Sequence, residues 1–164
     1  ASLGMNYVKI GVYGPKNLAE ARCLLENVVK SVKRLDQGIQ VVAAAYADHV
    51  RMQSSIPPMD LVKVAADCGC DYVMVDTFIK DEKRLVDFMS KEDIINFCNL
   101  AHDSGMKVAL AGKLCDGDIP FIKTTNADVI GVRSMVCTNN DRESGTIDAN
   151  LVKKLKENIL TGHI

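Results

Sequence analysis

A short apolar run preceded by a helix-like tail, a Gly or Asn and one or two polar residues recurs along this chain. It appears in SLGMNYVKIGVYG, AADCGCDYVMVDTF, AHDSGMKVALAGK and TTNADVIGVRS, and a fifth run, IQVVAAAYAD, is entered through Asp36-Gln37-Gly38. The runs are rich in Val and Ala and do not alternate cleanly between apolar and polar residues. Such runs suit parallel strands covered on both faces. Helical patterns separate them. Asn17 and Glu20 stand in capping-box spacing ahead of Ala21, Leu24, Leu25, Val28, Val32 and Leu35. Pro57-Pro58 opens a second helix that Gly69 closes, and Ser90 with Asp93 starts a third with Ile94, Ile95, Phe97, Cys98 and Ala101 on its apolar side. A short helix over Ile119 to Lys123 and a last one over Asp148 to Leu160 complete the set. Strand and helix alternating at roughly 30 residues per unit predict a parallel α/β fold.

The chain has 164 residues, 48% hydrophobic, with a net charge of −1. That suits one α/β domain over residues 1–164 with a sizeable core. The balanced charge gives no nucleic-acid footprint. No apolar run reaches the roughly 18 residues of a membrane span. Of the six cysteines, most sit within apolar patterns, and Cys68-Gly-Cys70 has no matching second pair, so it reads as structural rather than as a metal or redox motif. A reducing cytoplasm suits this usage. The chain opens on what reads as the tail of a helix, so the later part of a longer barrel is expected. The alternative is a small flavodoxin-like sheet, for whose phosphate loop Gly14-Pro15-Lys16-Asn17 is a poor match.

Strand parity selects candidate functional groups. In the first strand Val8, Ile10 and Val12 share a face suited to packing under helices. Lys9, Gly11 and Tyr13 share the other. A lysine within a strand, if buried, needs a carboxylate close by or a lowered pKa, and Asp76 at the end of the third strand is the natural partner. Asp48, Lys80, Gly112, Lys113, Arg133 and Ser134 also fall at or just beyond carboxyl ends of strands, where barrels keep their chemistry. Asp48, Lys80 and Lys113 read equally as solvated loop charges, and Asp76 as a cap of the following turn. Gly112, Lys113 and Arg133 suit a phosphate, through close backbone N–H groups and a charged clamp. The segment from Asn139 to Gly145 reads as a plain surface turn.

The segments YVKIGVYGPKN, VVAAAYAD, VDTFIKDEKRLVDFMSKE, VALAGK, IPFIK, and DVIGVRSMVC through DRESGTID resemble the (5-formylfuran-3-yl)methyl phosphate synthase family of methanofuran biosynthesis. The resemblance implies a (β/α)8 barrel, with this chain supplying strands four to eight. It implies a lyase that joins two molecules of glyceraldehyde 3-phosphate by aldolase-like Schiff-base chemistry, losing phosphate and water, without metal or organic cofactor. It casts Lys9 as the proton-accepting lysine, Asp76 and Lys80 as a second charged pair, and Gly112 and Arg133 as phosphate holders. The family's Schiff-base lysine and a nearby aspartate belong to an early strand that this sequence does not include. Ser134 and Met135 replace the smaller residues usual after the final arginine. A non-catalytic sugar-phosphate-binding or assembly protein of the same fold is the alternative, and a class I aldolase using Lys80 a third. The expected partners are a phosphorylated aldehyde and further copies of the chain, with neither nucleic acid nor membrane.

Overall fold

A computed structural model describes residues 4–53 and 56–160. The helix tail expected at the start falls mostly on residues 1–3, outside the described residues. Five strands, β1 (Tyr7–Gly11), β2 (Gln40–Tyr46), β3 (Tyr72–Asp76), β4 (Lys107–Leu110) and β5 (Val129–Ile130), form one sheet in the order β1-β2-β3-β4-β5, every pair parallel. Six helices accompany them: α1 (Leu18–Leu35), α2 (His49–Met52), α3 (Pro58–Asp67), α4 (Lys91–Asp103), α5 (Ile119–Ile122) and α6 (Ala149–Leu160). The order never reverses, so crossovers of one hand place their helices on one side of the sheet. A flavodoxin-like sheet has a switch point, and this one has none.

Local signals set the helix boundaries. The Asn17 side chain accepts from Glu20 N–H at 2.9 Å and caps α1. Ser90 and Asp93 form the reciprocal box of α4, Ser90 Oγ accepting from Asp93 N–H at 3.1 Å and Asp93 from Ser90 N–H at 3.2 Å. The four-residue α2, which no periodic pattern announces, follows β2 directly. The fifth strand is shorter than its sequence suggests. After Gly131 N–H reaches Leu110 C=O at 2.8 Å, the backbone leaves the sheet and makes a 3₁₀ turn at Ser134–Val136.

The two faces of the sheet differ. Val8, Ile10 and Val12 of the first strand segment, with Val41, Ala43, Ala45, Val73, Val75, Val108 and Leu110, pack against Leu25, Leu61, Val62, Ile94 and Phe97 from α1, α3 and α4. The other parity gives rows across the sheet, Lys9–Val42–Tyr72–Lys107 and then Gly11–Ala44–Met74–Ala109. Val42, Ala44, Tyr72 and Ala109 are buried yet lie outside the helix-packed core. Tyr7 sets its ring edge-on to Tyr72 with centroids 5.7 Å apart on this side. None of the described helices is long and apolar enough to cross a membrane.

Candidate functional site

The site is built where the open face meets the carboxyl ends of the strands. Asp76 is the last residue of β3 and shares the face of Met74. Its Oδ1 accepts from Thr77 N–H at 2.8 Å and from Lys80 Nζ at 3.0 Å, and the same ammonium donates to the Thr77 carbonyl. Asp76 thus both caps its own turn and fixes Lys80. The partnership expected between Lys9 and Asp76 is therefore corrected: Lys80, four residues on, holds the carboxylate. Lys9, on the outermost strand of the sheet, is exposed rather than buried, and among the described residues it has no hydrogen bond or ion pair.

The chain after β4 makes two successive left-handed steps, Gly112 at φ 110° and Lys113 at φ 50°. Glycine is required at the first for space as well as for its dihedral. A Cβ there would lie 3.1 Å from Thr77 Cγ2 and 3.2 Å from Leu85 Cβ. The Gly112 carbonyl accepts from Leu85 N–H at 2.9 Å, which ties this bend to the loop after β3. Lys113 then spans the same loop, donating to Asp81 C=O at 3.0 Å and Glu82 Oε2 at 2.8 Å.

A cavity of about 350 Å³ gathers these groups. Lys9, Asp76 and Lys80 line it from β1 and β3, Gly112 and Lys113 from β4, and Arg133 and Ser134 from beyond β5. Small or flexible residues, Ala111, Gly131 and Met74, form part of its wall. Of the sequence candidates only Asp48 is absent. It is 1% exposed, and its two oxygens accept from Phe78 N–H at 2.7 Å and Ile79 N–H at 2.9 Å. Asp48 clips the β3 loop in place, so it is neither a solvated loop charge nor a group facing the cavity.

Two residues escaped the sequence reading. Arg142, from the segment taken as a plain turn, lines the cavity as well. The cavity wall thus holds Lys9, Lys80, Lys113, Arg133 and Arg142 against the single carboxylate of Asp76. Tyr46 ends β2 on the open face, and its hydroxyl would meet a Cβ at Gly11 at 2.0 Å, so that glycine makes its space. Burial, then the Asp76 and Asp48 carboxylates, push its phenol above the ordinary value. Phe78 packs edge-on to Tyr46 and flat on Tyr13, with centroids 5.2 and 4.7 Å away. The shared parity of positions 42, 44 and 46 is the signal that could have found Tyr46.

Among the described residues no group of three His, Cys, Asp or Glu side chains is placed to hold a metal ion. Cys70 is buried, and that burial pushes its thiol up to about 12, which suits the structural reading of Cys68-Gly-Cys70. The arrangement can bind multiply charged oxyanions, and its amines and carboxylate can move protons beside them.

A family model described as 4-HFC-P synthase matches residues 1–156. The (5-formylfuran-3-yl)methyl phosphate synthase of Methanocaldococcus jannaschii is 47% identical over 154 residues, 94% of this chain and 65% of the relative. Those of Archaeoglobus fulgidus and Methanopyrus kandleri are 46% and 43% identical over 157 residues, each alignment covering 96% of this chain and 66% of the relative. The chain spans about two thirds of the length of these curated relatives. Among solved structures, 2,3-dimethylmalate lyase, a PEP mutase/isocitrate lyase superfamily member, superposes with a TM-score of 0.55 at 11% identity, over 93% of this chain and 64% of that one. Its triclinic crystal form gives 0.54 at 12%, over 94% and 67%. These structures share the fold with this chain. By its sequence, the chain belongs to the 4-HFC-P synthase family.

Proposed function

We propose that this chain is a single α/β domain forming strands four to eight of a (β/α)8 barrel, and that its site condenses two molecules of glyceraldehyde 3-phosphate into (5-formylfuran-3-yl)methyl phosphate. The observation that carries this reading is the convergence of five cations and one carboxylate at the carboxyl ends of the strands, on a face without helical cover. Two triose phosphates form the six-carbon furan with loss of one inorganic phosphate and two waters. The protein must therefore hold phosphate, accept protons from carbon and help phosphate leave.

Each role has a candidate. Lys9, without a partner among the described residues, is the base once its amine is neutral. Asp76 orients Lys80 and exchanges protons with it. Gly112 N–H, Lys113, Arg133 and the Ser134 hydroxyl hold a phosphate, and the surrounding cations stabilise the one that departs. The amine that forms the imine, with expulsion of water from the aldehyde, is expected from the early strand of the longer family chains.

Lys9→Ala, assayed with the family's imine-forming early strand supplied on the same chain, tests the reading. Turnover of glyceraldehyde 3-phosphate should fall about a thousandfold, as for loss of a general base, while phosphate binding stays largely intact. A wild-type rate in the variant removes Lys9 from the mechanism. Phosphate binding by the wild type without any turnover would favour the non-catalytic alternative. The uncovered face also carries exposed Tyr7 and Tyr13 with Phe78 beside them, so the reading includes self-association. A stable monomer in sedimentation at micromolar concentration would contradict that part.

A further inference from the structure

Arg142 is carried by a loop built to hold it still. The loop closes behind it through an antiparallel bridge between Cys137 and Ile147, with Thr138 N–H donating to Thr146 C=O at 2.9 Å and Thr146 N–H to Thr138 Oγ1 at 3.1 Å. Gly145 is packed so tightly that a Cβ would lie 2.3 Å from the carbonyl oxygens of both Asp141 and Thr138. The adjacent carboxylate is turned onto its own loop: Asp141 accepts from Glu143 N–H at 2.9 Å and from the Ser144 hydroxyl. Arg142 is left half-buried, with no hydrogen bond or ion pair among the described residues.

The guanidinium stands at a junction. It lines the cavity described above and also a second one, of about 650 Å³, with Lys80, Lys113, Ser134 and Asn140. Four acids line the outer cavity with these cations. Asp81 is paired with Arg51 at 2.5 Å, Glu82 with Lys113 of the same cavity at 2.8 Å, and Asp141 with its own loop, while the exposed Glu143 stands at the rim. An unpaired, partly desolvated guanidinium offers a fork of donors to an oxyanion in either chamber.

We propose that Arg142 binds a second phosphomonoester in the outer cavity, with the Asn140 amide, while Gly112, Arg133 and the Ser134 hydroxyl hold the first in the inner one. Two small phosphorylated aldehydes then occupy the site together, each anchored by its own arginine. The proposal rests on the function proposed above and assigns Arg142 as the determinant of the second substrate.

Isothermal titration with glycerol 3-phosphate, which has the phosphate but no aldehyde, tests this without requiring turnover. The wild type should bind two equivalents. Arg142→Ala should lose the outer one, its affinity falling about tenfold or more, and Arg142→Lys should recover part of it. Arg133→Ala should lose the inner one instead. Two equivalents of unchanged affinity in Arg142→Ala would overturn the proposal. So would a single equivalent in the wild type, whether lost with Arg133 alone or with either arginine; in those cases the phosphate reading itself survives. No binding by the wild type would remove that reading and this proposal together.

Discussion

The two ends of the sheet differ in the charge that they leave unpaired. At the amino ends of the strands two carboxylates each fasten two neighbours. Asp71, just before β3, accepts from Val41 N–H of β2 at 2.7 Å and from Lys33 of α1 at 3.0 Å, and Lys33 also donates to Ile39 C=O at 2.8 Å. Asp128, just before β5, accepts from Val108 N–H of β4 at 2.8 Å and lies 3.0 Å from His102 Nε2 of α4. Arg133 and Arg142 at the carboxyl ends, and Lys9 within β1 below them, have no such partners among the described residues. Matched charges at one end hold strands and helices in register. At the other, Asp48 and the Asp76–Lys80 and Glu82–Lys113 pairs fasten the loops, and the cations left over beside them repel one another until an anion arrives. In a parallel α/β sheet this is the division between the stabilising end and the reactive end.

The contrast can be broken in order of effect. Asp48→Ala should cost most, about 2–3 kcal/mol, because a buried carboxylate is lost and two part-buried backbone N–H groups in the β3 loop lose their acceptor. Urea unfolding would read it, and a change below about 1 kcal/mol would mean that the loop does not depend on this clip. Asp71→Ala should cost about 1–2 kcal/mol by the same measurement, since its group is half-exposed and water replaces part of what is lost. Arg133→Ala should leave stability within about 0.5 kcal/mol of the wild type, as for a surface change with no partner. A loss as large as that of Asp71→Ala would erase the distinction between the two ends.

Acid should act at the amino ends. Burial alone would raise the Asp128 carboxyl, but the His102 and Val108 N–H hydrogen bonds outweigh it and hold the group below its ordinary 3.8. Because the folded pKa lies below the unfolded one, the stabilisation is full above that ordinary value and is lost as pH falls through the folded pKa. Asp128→Asn should flatten the stability–pH curve in that acidic window. An unchanged slope would contradict the assignment. The smallest effect expected is at the exposed Arg22–Asp67 pair on the helical side, where Arg22→Ala should leave the urea midpoint indistinguishable from that of the wild type.

What could be read from the sequence was what local chemistry decides. Asn17 and the Ser90–Asp93 box mark two helix starts, strand parity sets Lys9 apart from Val8, Ile10 and Val12, and position alone puts Asp76 at the end of its strand. The exposure of Lys9 was not legible, because it depends on what covers the open face. Asp48 was misjudged because its partners, Phe78 and Ile79, lie 30 and 31 residues further along the chain. Arg142 was missed because only the closing of its loop, between residues 137 and 147, turns a polar surface segment toward the cavity.

The most direct measurement compares the two ends in one experiment: backbone amide NMR spectra during titration with glycerol 3-phosphate. Saturable shifts at Gly112, Lys113, Gly131, Arg133 and Arg142, with Asp71, Lys107 and Asp128 unmoved, are the result expected of an anion site at the carboxyl ends. Shifts concentrated at the amino ends or on the helical face, or none at millimolar ligand, would contradict it.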